Sequence, residues 1–146
     1  MALYDEIDGD LITYLKTKAA ITAIVGTGDN ARIYPDGPPQ GTTSDHLVFV
    51  VTDSHAFESH AGFSNLSRDV VHFYSYSQSS RSAALALDTA VFNALKNWQR
   101  GSMGSATVLR VMYEGGPFFG HEKPTEGREQ KLYFARRVYR FFVRHS

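Results

Sequence analysis

Residues 68–95, RDVVHFYSYSQSSRSAALALDTAVFNAL, predict a β-strand that runs directly into a long helix. Between residues 66 and 77 a strand would place Val70, His72, Tyr74 and Tyr76 on one side and Val71 and Phe73 on the other. Serines just before Arg81 are typical of a helix start, and we predict a helix from there to about Arg100. The apolar stripe that would pack this helix on a sheet consists of Ala84, Leu87, Val91, Ala94, Leu95 and Trp98.

A second strand precedes this one and predicts a long β-hairpin. Residues 47–52 form a continuous apolar run rich in valine, which favours a buried strand. Together with residues 66–77 it gives a hairpin over 47–77, whose polar tip at 53–62 is longer than an ordinary hairpin loop. We expect this tip, and the proline-rich loop at 35–44, to contact neighbouring subunits.

The remaining segments complete a pattern of helices around one sheet. They are, in chain order, a helix over 3–18, a helix over 19–25 that Gly26 ends, a strand over 31–34, a strand over 106–113 followed by a break at 115–117 and a polar connection at 120–127, and a strand over 132–143. The sequence therefore predicts a single α+β domain over residues 1–146. Its sheet is mostly antiparallel, with a long hairpin, one long helix packed on one face, and N-terminal helices.

Composition excludes several classes of protein. A chain of 146 residues is the size of one ordinary domain and can bury a core without cross-links. It has no cysteine, which excludes a disulfide framework and a thiol nucleophile. Fifteen Lys and Arg balance fifteen Asp and Glu, and this neutrality argues against a protein that coats nucleic acid. No apolar run approaches the length of a membrane span, so we expect no membrane partner.

Charge is distributed unevenly along the chain. Residues 1–60 carry nine acids against three bases, whereas the remaining residues carry twelve bases against six acids. The more ordinary interpretation is that the two parts neutralise each other within one folded chain. The alternative is head-to-tail assembly, in which the acidic side of one subunit meets the basic side of the next. The charge pattern alone favours the first interpretation and leaves the second open.

The sequence contains no recognisable catalytic arrangement. His55, Glu58 and His60 could ligate a metal, but they lack the four-residue helical spacing of a zinc protease, so solvated loop histidines are favoured. Asp53, Ser54 and His55 are consecutive, and consecutive strand residues point to opposite faces, which excludes the geometry of a catalytic triad. We therefore expect a protein that is not an enzyme and that uses no cofactor or metal.

The last predicted strand combines basic and aromatic residues. Arg136, Arg137, Arg140 and Arg144 are interleaved with tyrosines and phenylalanines, a combination that can bind single-stranded nucleic acid. The glycine-aromatic signature of an RNA-recognition sheet is missing, however, and the whole chain is neutral. A structural strand whose arginines pair with acids is therefore the favoured interpretation.

The order of these segments resembles the tail-completion or tail-terminator family of long-tailed phages, which includes the tail-to-head joining proteins. The resemblance rests on ITAIVG at 21–26, ARIYPDGPPQG at 31–41, HLVFVV at 46–51 and the strand-to-helix segment at 68–95. It covers residues 3–144, and none of these motifs is catalytic.

The resemblance implies a structural virion protein that forms a ring, usually a hexamer, which caps the tail tube and joins it to the head. The implied partners are further copies of this chain, the tail-tube protein, a head-completion or connector protein, and DNA that passes through the ring without sequence-specific binding. The implied location is the head-proximal end of the virion tail, and the host cytoplasm during assembly. The alternatives are another head–tail connector or tail-tube subunit, a small nucleic-acid-binding module, or a small enzyme.

Candidate contacts with other subunits or with the tail come from two places, the hairpin tip and the last strand. They are His55, Phe57, Glu58, His60, Phe63, Arg136, Arg137, Arg140 and Arg144.

Overall fold

The computed structural model describes residues 7–39, 42, 44–59, 62–123 and 131–144, and for residues 56–59 and 62–65 it describes the backbone alone. Within these residues the α-helices are α1 (Asp8–Leu15), α2 (Ala19–Val25) and α3 (Arg81–Leu95), with a 3₁₀ turn at Gly28–Asn30. The strands are β1 (Ile33–Pro35), β2 (His46–Ser59), β3 (Gly62–Ser77), β4 (Gly101–Met103), β5 (Ala106–Glu122) and β6 (Leu132–Arg144).

The six strands form one sheet in the order β1-β2-β3-β6-β5-β4. Every pairing is antiparallel except that of β1 with β2. The predicted combination of helices with one mostly antiparallel sheet is confirmed. The short strand β4 was not predicted, and residues 3–6 of the predicted first helix lie outside the described part of the chain.

The helices cover one face of the sheet, because alternate residues of the central strands are apolar and point to the same side. In β6 the side chains of Ala135, Arg137, Tyr139, Phe141 and Val143 are buried, whereas the residues that alternate with them are only half-buried. Helix α3 lies against β3 and β6. Its buried residues Leu87, Val91 and Leu95 belong to the same core as Phe73, Tyr139 and Phe141. Each such side chain contributes roughly 1.5–3 kcal/mol when it is buried.

The N-terminal helices pack beside α3. Leu11, Leu15, Ile21 and Val25 are fully buried in the same core. Gly26 has a φ of 95°, which stops α2 where the sequence predicts its end. The first helix is shorter than predicted, because α1 ends at Leu15 and not at residue 18.

The first helix is fixed to the β4–β5 turn by one carboxylate. Oδ1 of Asp10 accepts hydrogen bonds from the backbone N–H of Ser105 at 2.7 Å and from its hydroxyl at 2.9 Å. Gly104 precedes Ser105 with a φ of 60°, and a Cβ there would collide with Asp10. A glycine is therefore required at this close approach.

Helix α3 begins as predicted but ends earlier. The hydroxyl of Ser80 accepts a hydrogen bond from the N–H of Ala83 at 3.1 Å, which is an N-cap. The helix ends at Leu95 instead of near Arg100, because Lys96 has an extended backbone with ψ of 146° and Asn97 is left-handed with φ of 59°. These two residues turn the chain into β4.

Two segments predicted as connections are strand in the structure. The ladder of β2 and β3 runs from the pair His46 and Tyr76 to the pair Ser59 and Gly62, so the predicted loop over 53–62 is wrong for residues 53–59. Register shifts at Val51/Asp53 and Ala56/Glu58 let this polar stretch stay in the ladder. Likewise β5 continues through the predicted break to Glu122, with register shifts between Tyr113 and Phe118.

A buried ion pair joins α3 to the sheet. The guanidinium of Arg137 donates to Asp88 from Nη2 at 2.7 Å and from Nε at 3.0 Å, and the two side chains are 10% and 1% exposed. The guanidinium carbon of Arg137 also lies 4.3 Å from the ring centre of Phe92 and 5.3 Å from that of Tyr113. Burial raises the pKa of Asp88 above its ordinary value, because desolvation outweighs the effect of Arg137.

We expect Asp88→Ala to lower the free energy of unfolding by about 3–5 kcal/mol, because it leaves Arg137 charged and buried without an acid. Urea denaturation followed by circular dichroism measures the loss. The exposed acid Asp29 provides the matched control, since Asp29→Ala should change stability by only about 0.5 kcal/mol. The double variant Asp88→Leu with Arg137→Met should recover most of the loss. If Asp88→Ala lowers the free energy of unfolding no more than Asp29→Ala does, the Arg137–Asp88 pair does not stabilise the fold.

Candidate interaction surfaces

The second face of the sheet bears a regular array of side chains, which we call the open face. Its residues lie in cross-strand rows on β2, β3, β6 and β5 in that order. The rows are His46–Tyr76–Phe134–Gly120, Val48–Tyr74–Arg136–Phe118, Val50–His72–Val138–Gly115, Asp53–Val70–Arg140–Met112 and His55–Arg68–Phe142–Arg110. Apolar, aromatic and basic side chains alternate within and between these rows, which is a composition suited to contact with another macromolecule.

Aromatic rings and arginines are organised on this face. The rings of Tyr74, Tyr76 and Phe134 have centroids 5.7–6.2 Å apart. The guanidinium carbon of Arg136 lies 4.9 Å from the ring centre of Phe118. Nε of Arg140 lies 3.1 Å from a carboxylate oxygen of Glu114. Arg136 has no acid within salt-bridge distance among the described residues, and it therefore leaves positive charge on the open face.

A second apolar surface lies along β5. Of the large hydrophobic residues in the described ranges, those that are exposed are Leu85, Tyr113, Phe118 and Phe119, with exposed fractions of 37–49%. The last three are on β5, where a cis peptide joins Gly116 to Pro117. The hydroxyl of Tyr113 donates to the carbonyl of Gly116 across this bulge. The bulge thus presents aromatic rings at the border of the sheet.

The four arginines that the sequence predicts as contact residues lie in different environments in the structure. Arg136 and Arg140 lie on the open face, and Arg144 is exposed at the end of β6. Arg137 lies on the covered face, where it is 8% exposed and paired with Asp88. It is part of the fold, and we leave it out of the surfaces proposed below.

The hairpin-tip candidates are described in part. His55 is exposed on β2 and stands opposite Arg68. For Phe57, Glu58 and Phe63 only the backbone is described, in the paired part of the hairpin, and His60 lies outside the described residues. No side-chain contact is assigned to these last four.

The described residues offer little for catalysis. The hydroxyl of Ser54 donates to Oδ1 of Asp69 at 2.6 Å, and Ser54 points away from the face that carries Asp53 and His55. Among the described residues, no group of three or more His, Asp or Glu could hold a metal ion. No helix in the same residues is long and apolar enough to cross a membrane.

Sequence reasoning missed the β5 residues Tyr113, Phe118 and Phe119. The signal was present, because the phenylalanines directly follow the Gly115–Pro117 break, and apolar residues beside a turn have few neighbours to bury them. The Gly115–Pro117 break instead predicted the end of the strand. These residues were therefore not predicted to form part of an interaction surface.

Comparisons with known proteins identify a shared fold. No protein-family model matches the chain, and no curated protein matches its sequence. Among solved structures, it is similar to a chain in the virion of a native gene transfer agent (GTA) particle, with a TM-score of 0.68 and 15% sequence identity. The alignment covers 99% of this chain and 98% of that chain. The two chains therefore have the same fold along almost their whole length.

One histidine of the open face is buried and should respond to acid. His46 is fully buried, stacks on Tyr76 with centroids 4.8 Å apart, and has its Nδ1 2.7 Å from the carbonyl oxygen of Ser44. Burial lowers the pKa of His46 below its ordinary value, although the Ser44 carbonyl and the charges of Glu122 and Asp45 oppose the shift. The unfolded chain therefore binds the proton more readily than the folded chain.

We expect the free energy of unfolding to fall as the pH drops through about 6.5, the ordinary histidine pKa, toward the lower pKa of folded His46. His46→Phe keeps the stacking on Tyr76 and should reduce this loss. Urea denaturation at about pH 7.5 and about pH 5.5 measures it. His121→Phe removes an exposed imidazole and serves as the control. If His46→Phe loses as much stability on acidification as the control does, His46 does not contribute to the acid sensitivity.

Proposed function

We propose that this protein is a structural component of a phage virion, the tail terminator that ends the tail tube and joins it to the head. The observation that carries this proposal is the fold shared, along nearly the whole of both chains, with a component of a gene transfer agent virion. The order of segments that resembles the tail-completion family supports the more specific position at the head-proximal end of the tail.

The described residues are consistent with a protein that acts by binding partners and not by catalysis. Two of their polar pairs stabilise the fold, namely the Asp88–Arg137 ion pair and the Ser54–Asp69 hydrogen bond. Their exposed large hydrophobic side chains are concentrated on β5. Aromatic residues are enriched among the few residues that contribute most of the binding energy of a protein–protein interface.

The working form that we propose is a closed ring of identical copies, a hexamer, seated on the tail-tube protein and contacting a head-completion or connector protein. A cyclic ring needs two different patches on each subunit, one for each neighbour. The acidic excess in residues 1–60 and the basic excess in the remainder provide patches of opposite charge.

Passage of DNA through such a ring is compatible with the open face. Arg136 places positive charge among aromatic side chains there. Contacts from arginine to phosphate do not depend on base sequence, so a surface of this kind suits DNA in transit.

The proposal is tested in a phage that carries a nonsense codon early in this gene. On a non-suppressing host we expect DNA-filled heads without tails together with free tails, some of them overlong, since nothing ends growth of the tube. Electron microscopy of the lysate gives head attachment and the distribution of tail lengths. The matched control is the same phage grown with the intact gene supplied on a plasmid, which should restore complete virions.

The other outcomes distinguish the alternatives. Normal virions from the mutant would overturn a virion role. Heads without any tails would instead indicate a tail-tube subunit. Tails of normal length that fail only to attach would indicate a joining protein that does not terminate the tube.

A further inference from the structure

The sheet has two long edges that lack a second strand among the described residues. Strand β1 pairs with β2 only from Leu47 to Phe49, so residues 50–59 of β2 have β3 as their one neighbouring strand. Strand β4 pairs with β5 only from Ala106 to Val108, so residues 109–121 have β6 as theirs. Such edges pair readily with a strand of another chain.

The two edges lie at the same level along the strand axis, and their strands run in opposite directions. Asp53 of β2 and Met112 of β5 lie in the same cross-strand row, at opposite borders of the sheet. Three successive antiparallel pairings separate β2 from β5, so the two strands run in opposite directions. When two copies stand side by side, the β2 edge of one therefore meets the β5 edge of the other as an antiparallel pair.

The usable part of the β5 edge is short. Register shifts lie between Tyr113 and Phe118, and Pro117 has no backbone N–H to donate. These features protect the edge at 114–118, and a further register shift lies between Val108 and Arg110, so residues 110–113 keep regular strand geometry. The cross-strand rows place residues 110–113 level with residues 51–55 of β2, where Thr52 is the extra residue of a register shift and β1 leaves the edge uncovered.

Charge complementarity indicates that the strand that pairs with each edge belongs to a second copy of this chain. Residues 28–59, which hold β1 and β2, carry five acids and one base. Residues 96–123, which hold β4 and β5, carry four bases and two acids. Two β2 edges would repel each other, as would two β5 edges, whereas a β2 edge attracts a β5 edge.

We infer that residues 51–55 of one copy pair as an antiparallel strand with residues 110–113 of the next, so that the sheet continues from subunit to subunit. This contact rests on the proposed ring and specifies how its copies join. It is heterologous, since the two patches differ, and rotation between copies closes it into a ring. Tyr113, at the end of the contact, is exposed and supplies apolar area beside the backbone hydrogen bonds.

Cysteine cross-linking tests the contact cleanly, because the chain has no cysteine of its own. Residues directly opposite or two apart across a ladder keep the same face, so we combine Asp53→Cys with Met112→Cys or, in a second variant, with Arg110→Cys. Each purified double variant is oxidised with copper phenanthroline and run on a denaturing gel without reductant. We expect at least one to give a ladder of covalent oligomers that ends at the size of the ring.

The single variants are the matched controls. Each alone should stay monomeric on the gel, and a mixture of Asp53→Cys with Met112→Cys or Arg110→Cys should stop at the dimer. Asp53→Cys combined with Ser102→Cys places the second thiol on the exposed strand β4 and should give no ladder. Circular dichroism of each variant under reducing conditions verifies that it is folded.

The outcomes separate this contact from the proposed function. Folded double variants that form rings in negative-stain images but give no ladder would overturn the β2–β5 contact and leave the tail-terminator role intact. Dimers from Asp53→Cys alone would replace it by a symmetric β2–β2 contact. A ladder obtained together with normal virions from the nonsense mutant would retain the contact and overturn the function.

Discussion

The ion pair between Arg137 and Asp88 is the contact on which the two sides of this molecule depend. It holds α3 on β6 with a guanidinium that also stacks on Phe92. Strand residues alternate between faces, so placing Arg137 under the helix directs Arg136 to the opposite side. The same alternation runs through β3, where Phe73 is in the core and Tyr74 is on the open face. One buried charge pair thus determines which arginines build the fold and which are left for partners.

The surfaces that remain suit the assembling subunit that we propose. The sheet has helices on one face and an aromatic, arginine-bearing array on the other, and its two borders are chemically different. The border at β2 lies in an acidic part of the chain, whereas the border at β5 lies in a basic part with exposed aromatic rings. A subunit with unlike borders favours repeated head-to-tail contacts over symmetric dimers.

Much of the fold follows from local signals in the sequence. The alternation in β3, the serine cap of α3 and the stop at Gly26 were all readable, because each depends on residues a few positions apart. The burial of Arg137 was not readable: its partner Asp88 lies forty-nine residues away, and four arginines in one strand look alike without the helix above them. Nor was the continuity of β5 through Gly116 and Pro117, since β6 holds the strand together across residues that usually end one.

We propose that this chain acts as a ring between the head and the tail of a virion. Cryo-electron microscopy of the neck of the virion tests it most directly. We predict a closed ring of copies with this fold at the last layer of the tail tube, with each sheet bordered by the sheet of the next copy. A neck reconstruction at side-chain resolution in which no density fits this chain would contradict the account.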